Sequence, residues 1–362
     1  MRKLGRRVGL GLFFLCVGLL LAAIIIPPFL DRVYYRGPPS AHYDGQHFFN
    51  PDRDSDIEPG FSLARMVRFM RGEGRAHWPE WVPITPTRPP ARVTGEALRV
   101  TWIGHSTVLI QTQGLNILTD PIWSDHTGPF GLGPRRVRAP GVRFTDLPKI
   151  DAVLISHNHY DHMDLPTLDR LWHRDQPLIV TSLGNDTILR RHGIASVARD
   201  WGGRVPLGPG IEIIVERVHH WGSRTGRDRN RALWSGFTIT LPGGNIFFAG
   251  DTGYGDGSWV EDAARDGPYR FAILPIGAYE PRDMMHDSHI NPADAVDIFT
   301  RLRAADALGV HWGTFQLSNE AIDAPRQALH AALLTHGIAP NRFRALEAGV
   351  GWGIPAREPP RR

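Results

Sequence analysis

The chain has 362 residues, of which 42% are hydrophobic and 22% are charged, and its formal net charge is +4 at pH 7. This composition excludes a disordered chain, a collagen-like chain and a membrane protein with many spans. Four of the 41 basic residues lie within the first seven positions, so the rest of the chain has as many basic residues as its 37 acidic ones. The charge therefore gives no reason to expect nucleic acid as a partner.

The first 30 residues resemble a membrane signal. Residues 8–26 are an uncharged, almost wholly apolar run of 19 residues, close to the roughly 20 that a helix needs to cross a bilayer. Four basic residues precede the run, so we expect residues 1–30 to be an anchor that leaves the remaining chain on the exported, periplasmic or extracytoplasmic side. A cleaved signal peptide is the alternative. Cys16, the sole cysteine, lies in this run.

Beyond this run we expect a linker over residues 31–60, one folded domain over residues 61–356 and a short tail over residues 357–362. Apolar positions spaced three and four residues apart predict an amphipathic helix over residues 61–71, with arginines on its other face. That arginine face is either solvated, with the helix packed on the core, or in contact with a membrane surface.

Short apolar runs predict strands through the rest of the domain. They cover residues 98–103, 108–111, 115–118, 152–155, 178–181, 211–218, 235–241, 245–249 and 271–275. A helix is predicted over residues 294–303. Strands first come in runs and then alternate with helices, which favours an α+β fold with sheets covered by helices over a purely parallel α/β fold.

A dense group of metal-ligand side chains follows the strand at 152–155. His157, His159, Asp161 and His162 lie within six residues. Neutral imidazoles and a carboxylate suit zinc or a similar divalent cation, and such density is hard to explain as core packing.

Further candidate ligands follow later predicted strands. The pair His219-His220 comes after residues 211–218, Asp251 comes after residues 245–249, and His311 follows another short apolar run. Each alone is weak, because a single polar side chain at a strand end is more often a cap. Together they are what one binuclear site requires.

These motifs resemble the N-acyl-phosphatidylethanolamine-hydrolysing phospholipase D family of the metallo-β-lactamase superfamily. The resemblance spans about residues 78–352 and is carried by residues 101–107, 119–121, 154–162, 248–254, 275–282 and 311–315. It implies a four-layer αββα sandwich with two zinc ions at one edge, although other divalent metals also fit. The N-terminal apolar run is not among the motifs that the family shares.

The resemblance implies a role for each ligand. One zinc would be held by His157, His159 and His220, the other by Asp161, His162 and His311, and Asp251 would bridge both. We choose His220 because it directly precedes Trp221, as in the family, and because alternation along an extended chain would turn His219 the other way.

The candidate catalytic residues are Asp161, Asp251 and His289, the last of which matches a histidine near the substrate in the family. The alternative is that His289 belongs to a helix N-terminal segment capped by Asn291. His105, Asp120, Tyr279 and Asn291 are candidates for orienting the ligands or contacting the substrate. For His105 and Asp120, ordinary hydrogen bonding at a strand end is the alternative.

The resemblance implies a zinc-dependent phosphodiesterase that cleaves N-acyl phosphatidylethanolamine, or a related phospholipid, to an N-acylethanolamine and phosphatidic acid. Two metals about 3.5–4 Å apart can share a hydroxide as the nucleophile, so no serine or cysteine is needed. The expected partners are the phospholipid, the bilayer and a second copy of the chain in a homodimer. The alternatives are a lactonase or another hydrolase of the same superfamily, and a non-catalytic, anchored envelope binding protein.

Overall fold

Two mixed β-sheets form the centre of the protein in the computed structural model, which describes residues 10–21, 31–52 and 63–356. The strands in chain order are β1 (Leu98–Gly104), β2 (Thr107–Thr112), β3 (Leu115–Thr119), β4 (Ala152–Ile155), β5 (Leu178–Ser182), β6 (Val197–Arg199), β7 (Arg204–Gly208), β8 (Ile211–Glu216), β9 (Gly236–Ile239), β10 (Asn245–Phe248), β11 (Tyr269–Pro275), β12 (Asp306–Val310), β13 (Phe343–Arg344) and β14 (Gly351–Ile354).

Helices connect and cover these strands. They are α1 (residues 10–21), α2 (Leu63–Met70), α3 (Leu165–Asp175), α4 (Asn185–Arg191), α5 (Ser258–Ala264), α6 (Arg282–Met285), α7 (Pro292–Arg301) and α8 (Ala324–Thr335). Helix α2 agrees with the predicted amphipathic helix, and its Arg65 forms an ion pair with Asp283 at 2.8 Å. Residues 61 and 62 of that prediction lie outside the described residues.

The two sheets follow the same plan. The first has the order β14-β1-β2-β3-β4-β5-β6 and the second β13-β12-β11-β10-β9-β8-β7. In each sheet, antiparallel neighbours give way to parallel ones, at the β3–β4 pair in the first sheet and at the β10–β11 pair in the second. The expected α+β architecture with two sheets is therefore present.

The central strands bury both of their faces, which produces layers. Val100 and Trp102 of β1 share one hydrophobic core with Phe247 of β10 in the other sheet. Ile103 points the opposite way and shares a second core with Leu168 of α3, because successive side chains of a strand face opposite sides. The layers are thus helices, sheet, sheet and helices.

This plan brings polar strand ends together. The parallel pairs β3–β4 and β11–β12 direct the carboxyl ends of their strands toward one edge of their sheets, which is where ligands bind in open sheets of parallel strands. Asp120 follows β3, His157 follows β4, Asp251 follows β10 and His311 follows β12.

The prediction of an N-terminal transmembrane helix is wrong for the residues that the structure describes. Within residues 10–21, 31–52 and 63–356, no helix is both long enough and apolar enough to span a bilayer. The anchored, exported localisation that depended on this helix is corrected with it. Residues 8, 9 and 22–26 of the predicted span lie outside the described residues.

Residues 31–52, predicted as part of a linker, lie against the folded domain. Tyr43 and Phe48 are buried in the main core, and Asp31 accepts two hydrogen bonds from Arg231, at 2.8 and 2.6 Å. We call residues 31–52 the N-terminal strap. Residues 53–60 of the predicted linker and the tail at 357–362 lie outside the described residues.

Glu216, at the end of β8, is a buried carboxyl group that the metal-ligand motifs do not involve. Burial raises its pKa to about 7, and Asp266 and Asp262 act in the same direction, while Thr238 and Arg204 oppose them. Its Oε1 atom makes no hydrogen bond. In the unfolded chain the pKa of the same carboxyl group is near its ordinary value of 4.5.

We therefore predict that Glu216 destabilises the fold as the pH rises from about 4.5 to about 7, because only the unfolded chain can ionise freely over that range. The Tm of Glu216→Gln, relative to the native chain, should rise across this interval and level off above it. The matched control is Glu212→Gln, on the same strand but partly exposed and paired with Arg204. A Tm difference for Glu216→Gln that is the same at every pH would contradict the prediction.

Candidate metal centre

The loop after β4 carries the densest part of the site. All four residues of β4 are buried, so the chain leaves the core directly into His157 and its neighbours. The backbone N–H groups of His162 and Met163 both donate to the carbonyl of His159, at 3.2 and 2.8 Å. This turn brings His162 back beside His157, with their ring centroids 4.2 Å apart.

The remaining candidate ligands come from the second sheet. Asp251 reaches the loop because Gly250 lies tightly against Ser156: a Cβ atom at Gly250 would lie 2.5 Å from the Cβ of Ser156, and its φ of +64° favours glycine. His311 follows β12 directly and has a φ of +64° as well. Left-handed backbone is uncommon outside glycine, and for His311 it marks a turn that directs the side chain into the site.

Three histidines form the first group of converging ligand atoms. The Nε2 of His157 lies 2.8 Å from the Nδ1 of His159, and the ring of His220 lies 4.6 Å from that of His157. One nitrogen from each of these residues falls within 4.8 Å of the other two. The group is the set of three that the sequence assigns to one metal ion.

The second group surrounds the carboxylate of Asp251. Its Oδ2 lies 3.0 Å from the Nε2 of His162 and 3.1 Å from the Nε2 of His311. The Oδ2 of Asp161 lies 3.4 and 3.6 Å from the same two nitrogens. Asp251 also clusters with His157 and His162, so it stands between the two groups, where a bridging ligand belongs.

The donor set fits a divalent cation. The Nε2 of His220 and the Oδ1 of Asp251 are buried and make no hydrogen bond in the structure, although buried polar atoms are nearly always paired. Imidazole nitrogens and carboxylate oxygens are ligands for zinc and similar metals. A cation bound between the two groups would give both of these atoms a partner.

The protonation states of the first group and of the two carboxylates suit metal binding. Burial holds the pKa of His157 and His220 well below the usual range and lowers that of His159 to about 4. For Asp161 and Asp251, burial raises the pKa, but the neighbouring histidines outweigh it and hold it well below the usual range. Neutral imidazoles and ionised carboxylates are the forms that bind metals.

The other two histidines face both carboxylates. Burial lowers the pKa of His162 and His311, but Asp251 and Asp161 outweigh it, so the pKa of His162 stands well above its usual range and that of His311 is about 9. Without a cation, protons on these rings balance the two negative charges. A divalent cation competes for the same electron pairs.

Hydrogen bonds around the ligands fix their orientation. Asp120 is 2.7 Å from the Nδ1 of His162 and also accepts from the hydroxyl of Ser156 at 2.6 Å. That hydroxyl lies 2.9 Å from the Nδ1 of His157, so one carboxylate supports a histidine of each group. The Nε2 of His105 lies 2.9 Å from Asp161. Such partners fix the tautomer and the ring orientation of metal ligands.

Two of these supporting residues, Asp120 and His105, were predicted from the sequence, and two others were missed. Ser156 carries a signal in retrospect, since it directly precedes His157. Ser288, whose carbonyl lies 3.0 Å from the Nδ1 of His220, carries none, because a backbone carbonyl has no sequence signature.

The remaining predicted residues lie in different settings. The Nδ1 of His289 is buried without a hydrogen bond and lies 3.9 Å from Asp251. Asn291 caps helix α7, where its side chain accepts from the N–H of Asp294 at 2.9 Å. Tyr279 is buried. His219 turns away from the centre and bonds Asp52 at 2.7 Å.

Comparison with known proteins agrees with this site. Residues 115–312 match the β-lactamase superfamily domain. The chain belongs to the metallo-β-lactamase superfamily and is a metal-dependent hydrolase. The fold implies that it binds a divalent metal, and the buried histidines and aspartates at the strand ends are candidate ligands.

Within that superfamily, the chain is similar to proteins named N-acyl-phosphatidylethanolamine-hydrolysing phospholipase D. It is 35% identical to one from Caenorhabditis elegans over 244 residues, 64% of this chain and 68% of that protein. It is 37% identical to a mitochondrial one from Saccharomyces cerevisiae over 235 residues, 63% of this chain and 50% of that protein.

A solved metallo hydrolase from the archaeon Ignicoccus hospitalis shares the fold. Its TM-score is 0.55 at 20% sequence identity, and the match covers 72% of this chain and all of the other. At this identity the similarity supports the fold alone.

We predict that Asp120→Asn weakens metal binding about 10- to 100-fold, the usual effect of losing an outer partner of metal ligands. The amide cannot hold both Ser156 and His162 as the carboxylate does. Zinc titration of the chelator-treated chain against a competing dye measures the affinity. The matched control is Asp151→Asn, which should keep the native affinity. Asp151 directly precedes β4, whereas the ligand cluster follows the other end of that strand. Equal affinities for Asp120→Asn and the native chain would contradict the orienting role.

Proposed function

We propose that the chain is a phosphodiesterase with two zinc ions, which hydrolyses N-acyl phosphatidylethanolamine or a related phospholipid to an N-acylethanolamine and phosphatidic acid. The observation that carries the proposal is the pair of ligand groups on either side of the carboxylate of Asp251. The relatives from Caenorhabditis elegans and Saccharomyces cerevisiae, whose names state this activity, support the choice of substrate.

The ligand chemistry supports zinc and a count of two. One group offers His157, His159 and His220, and the other offers Asp161, His162 and His311, beside which His105 also lies. Histidine nitrogen and carboxylate oxygen without thiolate suit catalytic zinc, which keeps a position open for water or substrate. Two divalent cations, when bound, supply an activated water and positive charge for an anionic phosphodiester.

The chain's own residues would then arrange the substrate. Asp251 and Asp161 stay ionised, and His157 and His220 stay neutral, so these four ligands need not change protonation state before binding. His162 and His311 would lose their protons when a cation binds. His289 places a buried, unpaired ring nitrogen 3.9 Å from the shared carboxylate. From there it would donate a hydrogen bond to an oxygen of the phosphodiester.

A cleft beside the loop after β4 suits an amphiphilic substrate. It has a volume of about 1000 Å³ and is lined by Tyr160, Met163 and the basic side chain of Arg191, whereas the proposed ligands themselves are not among its lining residues. Apolar walls can receive hydrocarbon, and a basic wall can receive phosphate. The folded domain has balanced charge, so attraction for the anionic phosphodiester would come from local groups of this kind and from the bound metal.

The purified, zinc-loaded chain should release N-acylethanolamine and phosphatidic acid from N-acyl phosphatidylethanolamine in mixed micelles, and chelation should abolish this release until zinc is restored. Mass spectrometry of both products measures the reaction. Asp251→Ala should remove the activity, because it removes the shared ligand. Lactone hydrolysis without phospholipid cleavage by the loaded, folded chain would contradict the proposed substrate.

His289→Ala should lower kcat/KM for the phospholipid about 10- to 100-fold, the loss expected for one hydrogen bond to a charged group. The zinc content should stay at the native value, since His289 is not among the proposed ligands. Steady-state kinetics with metal analysis of the same preparation separates the two effects. If His289→Ala has native kinetics, His289 does not contact the substrate. If the variant loses zinc, His289 is a metal ligand instead. The matched control is His336→Ala, at the exposed C-terminal end of α8.

A further inference from the structure

The N-terminal strap ends against the metal centre. Its last described residues, Asn50 and Asp52, contact the chain at residues 219–220, which are 167 to 170 positions later in sequence. The strap is fixed elsewhere by the burial of Tyr43 and Phe48 and by the bond from Tyr34 to Asp228 at 2.7 Å. Asn50 and Asp52 therefore belong to a segment that packs against the domain at several other points.

Asn50 holds the backbone of a proposed ligand. Its Nδ2 donates to the carbonyl oxygen of His220 at 3.0 Å, and its Oδ1 accepts from the Nε1 of Trp234 at 3.1 Å. An indole N–H can only donate, so the amide oxygen must face Trp234 and the amide nitrogen must face His220. The orientation of Asn50 is thus set by its partners.

Asp52 holds the neighbouring residue. Its carboxylate lies 2.7 Å from the Nδ1 of His219 and 3.5 Å from Arg217, and it is almost wholly buried. Gly255 leaves the space for this pair, since a Cβ atom there would lie 2.3 Å from the Oδ2 of Asp52. His219 is also bound through its backbone, because its carbonyl accepts from the N–H of Gly253 at 2.6 Å.

We propose that Asn50 and Asp52 are positioning residues for the metal centre, which hold residues 219 and 220 so that the Nε2 of His220 meets His157 and His159. The imidazole of His220 has one further partner, the carbonyl of Ser288 at its Nδ1. That contact orients the ring of His220, whereas Asn50 holds its carbonyl group. Groups that orient ligands in this way affect metal affinity directly.

Asn50→Asp is the sharpest test, because it preserves size and the acceptor for Trp234 but replaces the donor to His220 with an oxygen. The full-length chain is stripped with a chelator and titrated with Co²⁺ while its visible absorption is followed. We expect the affinity for one of the two bound Co²⁺ ions to fall about 10- to 100-fold. The visible absorption spectrum of that ion should change as well. Asp52→Ala should weaken binding of the same ion, and it decides the question if Asn50→Asp does not fold.

The matched control is His42→Ala, in the same strap but with partners other than residues 219 and 220: His42 stacks on Trp201 and pairs with Asp200 at 2.7 Å. It should lower Tm without changing Co²⁺ affinity. Native affinity and spectrum in folded Asn50→Asp and Asp52→Ala would overturn the proposal. An equal loss of affinity in His42→Ala, or failure of both test variants to fold, would also overturn it in favour of a general structural role.

The inference rests on His220 as a metal ligand, which is part of the proposed function. His220→Ala separates the two. If it binds both Co²⁺ equivalents as the native chain does, the ligand set is wrong. If it loses one equivalent while Asn50→Asp and Asp52→Ala lose none, only the positioning role fails.

Discussion

The shared carboxylate of Asp251 is the interaction on which the rest of this site depends. It lies 3.0 and 3.1 Å from nitrogens of His162 and His311, and it also belongs to a ligand group with His157. Buried carboxylates and imidazole nitrogens this close are costly unless each finds a partner. In the proposed function, a divalent cation on each side of Asp251 would give each of these groups a partner.

The fold meets that requirement through its two sheets of similar plan. Strand ends from both sheets meet at one edge, and the close approach at Gly250 lets the loop after β10 touch the loop after β4. Asp120 and Ser156 then link a histidine of each group through hydrogen bonds of 2.6 to 2.9 Å. The N-terminal strap contacts the same edge through Asn50 and Asp52, which bond residues 220 and 219.

The sequence predicted the centre better than its surroundings. Four metal-ligand side chains within six residues after a buried strand form a local pattern that the sequence shows directly. Asp251 and His311 follow strands that were visible as apolar runs. Trp221 and the alternation of side chains distinguished His220 from His219. Asn50 and Asp52 could not be found in this way, because their partners lie about 170 residues away. The strands β6, β7, β13 and β14 were missed, since two to five residues are too few for an apolar run to be recognised. The N-terminal run predicted a spanning helix from its hydropathy, but no helix among the described residues is long and apolar enough to span a bilayer.

The most direct test is a crystal structure of the zinc-loaded chain with anomalous data collected on both sides of the zinc absorption edge. The account predicts two anomalous peaks, one against His157, His159 and His220 and one against Asp161, His162 and His311, with Asp251 touching both. A single peak, or peaks that do not flank Asp251, would contradict it.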